Sequence, residues 1–247
     1  MLLKDKAAIV YGAAGMIGAA VARAYAREGA YVHLAGRNAN TLEAIATRIR
    51  DDGGDATVAP VDVLDLTALD RHAATIANSA DIDICFNATS NDDIQGTPLL
   101  DMAFEDFMRP VTKAVTAHFN ICTAVGRHMT RRGHGVILVM AGGREAIPDL
   151  GGSHVAWAAV AGVCRQFAAE YGPYGVRVGW LLSPGSPEPD QAAGEASAAV
   201  PPGATGLLAR HQPTYDEVAN AATFAASDWA RTITASEINI TGGAVID

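Results

Sequence analysis

Two places in the chain combine residue types and spacings that suit chemistry. The stretch VYGAAGMIGAAVARAYAREGA (10–30) sets Gly12, Gly15 and Gly18 at a GxxGxxG spacing, between an apolar run and a helical pattern. Glycines there permit a tight turn and let backbone N–H groups approach a pyrophosphate, which then faces a helix N-terminus. The competing reading is a turn whose glycines only pack helix against strand. The next apolar run ends HLAGRN, with Gly36 and Arg37 where an acidic residue would hold the ribose hydroxyls of NAD(H). A guanidinium suits a 2′-phosphate and favours NADP(H), with NAD(H) as the alternative and a solvent-facing arginine as the competing reading. The second place is GREAIPDLGGSHVAW (143–157), where His154 adjoins Ser153. An imidazole titrates near neutral pH and can act as a general acid. Neighbours on a helix point about 100° apart, however, so Ser153 and His154 need not face one cleft. Arg144, Glu145 and Asp149 precede them, and a Glu beside an Arg is more often a solvated pair than a catalytic one.

The elements that must position these residues follow from the apolar pattern. Runs at 7–12, 31–36, 56–62, 83–89, 135–143, 176–182 and 237–241 read as strands, most of them apolar throughout rather than alternating. Continuous apolar runs fit parallel strands covered on both faces. Helical periods occupy 16–29, 40–51, 66–78, 102–131, 154–171 and 215–228. The alternation predicts an α/β fold, a Rossmann-type doubly wound parallel sheet of about seven strands with helices on both faces. The length of 247 residues suits a single domain over 1–247. Residues 184–212 are rich in Pro, Gly, Ala and Ser and read as a flap over the carboxyl ends of the strands.

Composition excludes several classes of function. The net charge of −9 is wrong for general nucleic-acid binding, which needs a concentrated positive surface. There is no uninterrupted apolar run of about 18 residues, so no membrane span is expected. Cys85, Cys122 and Cys164 are widely spaced, without a CxxC pair, and read as buried free thiols rather than a metal site. The N-terminus passes directly into the first strand without a leader-like segment. A cytoplasmic location is expected.

Longer stretches carry a resemblance. DVLD (62–65) resembles an adenine-contacting Asp-Val after the third strand, and FNAT (86–89) resembles an Asn-Asn-Ala-Gly motif. QFAAEYGPYGVRVGWLLSPG (166–185) and DEVANAATFAASDWARTITASEINITGGAVID (216–247) are similar to the helix–strand–Pro-Gly segment and C-terminal signature of the short-chain dehydrogenase/reductase superfamily. The resemblance covers essentially the whole chain. It implies an oxidoreductase acting on a small alcohol or carbonyl compound, assembled as a homodimer or homotetramer, with NADP(H) across the carboxyl edge of the sheet. It sets Gly12, Gly15, Met16, Ile17 and Gly18 along the pyrophosphate and Arg37 at the 2′-phosphate. Asp62 and Val63 would meet the adenine, Asn87 and Ala88 the ribose side, and Pro184 and Gly185 the nicotinamide. Tyr11, Met16 and Thr89 depart from the family pattern, which has Thr, Gly and Gly there.

The larger departure is at the catalytic end. The family donates a proton from a Tyr acidified by a Lys four residues on, aided by a Ser after the fifth strand and an Asn in the preceding helix. Counting from the matching segments, these positions hold Ser153, Trp157, Gly142 and Ala114. A serine hydroxyl is far less acidic than a phenol, an indole carries no charge, and glycine offers no side chain. Ser153 and His154 are the substitute candidates. Three readings stay open: an oxidoreductase with an altered proton path, a non-catalytic cofactor sensor or inactive partner subunit, and a non-redox lyase, isomerase or cyclase using the same cleft.

Overall fold

In a computed structural model, which describes residues 1–183 and 213–246, the seven expected strands form one parallel sheet. In chain order the elements are β1 (Ala7–Tyr11), α1 (Met16–Arg27), β2 (Tyr31–Gly36), α2 (Ala39–Asp51), β3 (Asp55–Pro60), α3 (Leu66–Ala77) and β4 (Ile84–Asn87). They continue with α4 (Phe104–Arg132), β5 (Gly135–Ala141), α5 (Ser153–Tyr171), β6 (Val176–Leu182), α6 (Tyr215–Ala226) and β7 (Glu237–Asn239). Short 3-10 turns at Gly172–Tyr174 and Asp228–Ala230 follow α5 and α6. The sheet order β3-β2-β1-β4-β5-β6-β7 reverses direction between β1 and β4, which opens a crevice at their carboxyl ends.

Both faces of the sheet are covered, which explains the unbroken apolar runs. Alternate β1 residues divide the core: Ile9 and Tyr11 face α3, α4 and α5, while Ala8 and Val10 face α1, α2 and α6. Cys85, Cys122 and Cys164 are buried free thiols in the first of these layers. Burial pushes their pKa values up, that of Cys164 to about 12. None of the described helices is long and apolar enough to cross a membrane.

The helix starts differ in a way that matters for the crevice. Asn38 caps α2, Asp65 caps α3, and Thr214 closes a reciprocal capping box with Glu217 at α6. Helices α1, α4 and α5 begin without a side-chain cap, so their first N–H groups are not met by a capping side chain.

Three histidines are held neutral by burial. His33 and His72 under the β1–β3 end of the sheet, and His118 inside α4, each have their pKa lowered to about 4, with desolvation the largest cause. His118 Nδ1 donates to the Ala114 carbonyl at 2.7 Å, and its buried Nε2 has no partner among the described residues. The unfolded chain takes up these protons near pH 6.5 while the fold refuses them until about pH 4. Stability is therefore present above pH 6.5 and lost as pH falls toward 4. His118 alone should remove about 2 kcal/mol of unfolding free energy between pH 7 and pH 5, with smaller contributions from the partly exposed His33 and His72. Urea unfolding at the two pH values checks this, and His118→Gln should flatten the dependence.

Candidate active site

The β1–α1 turn is built by backbone bonds. Gly12 and Ala13 donate to the Ala35 carbonyl of β2 at 3.0 and 3.3 Å, and Gly15 N–H donates to the Gly12 carbonyl at 3.0 Å. Gly12 has φ +76°, and a Cβ there would lie 2.5 Å from the Ala88 carbonyl oxygen. A Cβ on Gly18 would lie 2.3 Å from the Gly12 carbonyl oxygen. At Gly15 the nearest atom to such a carbon is Gly12 O at 3.4 Å, and the residue is exposed. The turn is closed on its inner side and open on its outer side. Met16 and Ile17 form the first turn of α1, with Met16 49% exposed.

Across the crevice, Asn87 ends β4, fully buried, in register with Tyr11. Thr89 supplies two hydrogen bonds to Asn87 Oδ1, from its N–H at 3.0 Å and its hydroxyl at 2.8 Å. A backbone N–H can only donate, so Oδ1 is fixed toward Thr89 and Nδ2 is turned away; that buried Nδ2 has no partner among the described residues. The unusual Thr89 thus orients the amide. The unusual Tyr11 is explained by the core: its ring lies edge-on to His72 and its hydroxyl is 3.1 Å from His72 Nδ1.

Arg37 is exposed at the end of β2 beside the N-terminus of α2, and among the described residues it has no hydrogen bond or ion pair. Asp62 and Val63 form the turn after β3, held next to β2 by the Val61 N–H on the Gly36 carbonyl at 2.9 Å. Asp62 Oδ1 accepts from Leu64 N–H at 3.0 Å, leaving an exposed carboxylate. The Asn87 amide without a partner among the described residues, the outward-open turn and the exposed Arg37 guanidinium suit a nicotinamide dinucleotide. Pro184, Gly185 and the 184–212 segment lie outside the described residues.

At the other end of the crevice, Ser153 is the first residue of α5 and is fully buried. Gln95, in the loop after β4, donates from Nε2 to Ser153 Oγ at 3.3 Å. Because Oγ accepts there, its own O–H is left to donate elsewhere. Nothing local in the sequence marks Gln95 for this role, since it reaches Ser153 only through the fold. The Trp157 indole, one turn along α5, lies over Gly142: a Cβ at 142 would be 2.1 Å from Trp157 Cε2. The glycine and the tryptophan are therefore a matched pair. Ala114 is buried on α4, and the adjoining Lys113 is ion-paired with Asp92. His154 Nε2 is 2.8 Å from the Arg144 carbonyl, so that nitrogen carries the proton and Nδ1 of the neutral ring is an acceptor. Arg144 itself pairs with Glu237, whose second oxygen accepts from Trp180 Nε1 at 2.8 Å. His154 is thus tied to the start of the loop at Arg144, while the loop's far end is held by the Gly96 N–H on the Asp149 carbonyl at 2.8 Å.

The chain matches the Enoyl-(Acyl carrier protein) reductase family model over residues 12–245. It is 34% identical over 256 residues to the D-threitol dehydrogenase of Mycolicibacterium smegmatis, covering 99% of this chain and 94% of that one. A solved Beutenbergia cavernae structure with NADP bound at low occupancy is 26% identical with a TM-score of 0.83, covering 98% of this chain and 97% of the other. An NAD+-bound xylitol dehydrogenase, 23% identical, shares the fold with a TM-score of 0.86 over 98% of this chain and 100% of its own.

Proposed function

Since the chain belongs to the short-chain dehydrogenase/reductase superfamily, we propose that it interconverts a small alcohol and its carbonyl with NADP(H), by a proton path without a Tyr–Lys pair. The observation that carries this reading is the β1–α1 turn, closed inward at Gly12 and Gly18 and open outward at Gly15, facing a buried Asn87 amide with no partner among the described residues. A bound nicotinamide supplies the hydride donor or acceptor. The chain's own residues bind and orient. The uncapped N–H groups of α1 receive the pyrophosphate. Arg37 pairs with the 2′-phosphate, and Asn87 Nδ2 finds its missing acceptor in the nucleotide. Ser153, with Gln95 donating to its oxygen, directs its O–H toward the substrate oxygen, while His154 acts through the loop it fastens. The relative named for D-threitol makes that polyol the first substrate to test. An assembly of two or four copies belongs to the same reading. Phe119 on α4 and Val155 on α5 expose apolar side chains that a second copy would cover.

One observation favours the non-catalytic sensor as a second reading: Ser153 is fully buried beneath the Gln95 loop. Melting curves and turnover separate the two. NADPH should raise the melting temperature, because a ligand that binds only the folded state stabilises it. No shift with either NADPH or NADH would end the cofactor reading. A shift without oxidation of D-threitol or reduction across a carbonyl panel would favour the sensor. Arg37→Asp should weaken NADPH by about 30- to 100-fold, the scale of a lost charge-assisted pair, and leave NADH within about threefold. Equal losses would contradict the 2′-phosphate assignment.

A further inference from the structure

Asn120 lies in the middle of α4, 7% exposed, where asparagine is a poor helix residue and a leucine would fill the apolar α3–α4 interface. Its amide nitrogen donates to two successive carbonyls 56 and 57 residues earlier, Leu64 O at 3.3 Å and Val63 O at 3.1 Å. Those carbonyls belong to the β3–α3 turn. The turn has its own internal bonds: Leu64 N–H on Asp62 Oδ1 at 3.0 Å, Asp65 N–H on Asp62 O at 3.1 Å, and Asp65 Oδ1 capping α3 at Ala68 N–H. These bonds fix its shape. Its place relative to the crevice is set on the sheet side by the Val61 N–H on the Gly36 carbonyl at 2.9 Å and on the α4 side by Asn120.

We infer that Asn120 is a positioning residue for the adenine end of the nucleotide, holding the Asp62–Val63 edge in place before ligand arrives. This rests on the dinucleotide reading above. Because the amide acts on the adenine edge alone, its loss is felt by every adenine ligand to the same degree, whatever stands at the ribose 2′ position. The test uses the full chain with 5′-AMP and 2′,5′-ADP as calorimetric ligands, and hydrogen exchange of the ligand-free protein. Asn120→Leu should weaken both ligands by the same factor, about five- to tenfold, on the scale of one or two lost hydrogen bonds. It should also speed exchange at Leu64 and Asp65 while β5 and the rest of α4 keep their protection. Arg37→Asp, by contrast, should weaken 2′,5′-ADP and spare 5′-AMP. Unchanged affinities in Asn120→Leu, or affinity lost together with protection throughout α3, α4 and β5, would overturn the inference and leave the dinucleotide reading standing. If the unaltered protein binds neither adenine ligand, the dinucleotide reading falls and this inference with it. Asn120→Ala, which keeps helix propensity and adds no bulk, should reproduce the shared factor if leucine perturbs the fold.

Discussion

Gly142→Ser should cost the fold about 1–3 kcal/mol, the range for forcing extra atoms against a packed side chain, and that cost should disappear in a Trp157→Lys background. A carbon at position 142 would stand 2.1 Å from Trp157 Cε2 and 2.5 Å from Nε1, inside any tolerable contact. Trp157 is half-buried on the second turn of α5, so relieving the contact requires the indole to leave its place over residue 142. Lysine removes the ring. A double-mutant cycle in urea would measure the coupling, and a Gly142→Ser protein as stable as its parent would refute the packing argument. The same geometry has a catalytic consequence. A serine at 142 requires the indole at 157 to be replaced, so a serine, a tyrosine and a lysine at 142, 153 and 157 are introduced together. The triple variant should turn over a carbonyl substrate at least about a hundredfold faster than the parent, the low end of general acid catalysis. A folded triple variant that binds NADPH without any gain in rate would show that the proton path is not what limits this chain.

Most of the fold was legible in the sequence because each element carries its own periodic signal. The seven strands and six helices begin within two residues of their patterns, and most strand patterns overrun the C-terminal end of the strand. The run 83–89 reads as one strand, but the strand proper is Ile84–Asn87, with Asp83 and Ala88 adding flanking backbone bonds and Thr89 already in the crevice. Apolar character continues past the last ladder bond because the turns that line a site are partly buried too. The glycine turn and Arg37 were also legible, since both are local features set at strand ends. The cross-chain partners were not. In the sequence Trp157 and Gly142 read as two separate departures, and only the fold shows that the indole lies against the glycine. Thr89 reads as a departure from Gly, yet it is what turns the Asn87 amide. Gln95 and Asn120 each act on residues more than fifty positions away, and no window of sequence contains both partners.

The glycine turn offers the sharpest separation of binding from packing. Gly15→Ala should leave the unfolding free energy within about 1 kcal/mol, the scale of a weaker helix N-cap. A methyl group there has only Gly12 O nearby, at 3.4 Å, and otherwise meets open space. It should nevertheless weaken NADPH by about a hundredfold, because the methyl group stands where the phosphates must approach the N–H groups of α1, and hydrogen bonds to a charged ligand are worth about 1.5–3 kcal/mol. Gly12→Ala and Gly18→Ala should behave differently. At 12, the left-handed φ of +76° penalises any side chain, and the added carbon would press on the Ala88 carbonyl at 2.5 Å. At 18, the carbon would meet Gly12 O at 2.3 Å. Both should lose stability by about 2 kcal/mol or more, with affinity falling as a consequence of a distorted crevice. If all three glycines served only to seat helix on strand, Gly15→Ala would be silent in both measurements. An intact NADPH affinity in that variant would therefore reduce the turn to a packing device. A large loss with an unchanged melting temperature can come only from a ligand using the open side.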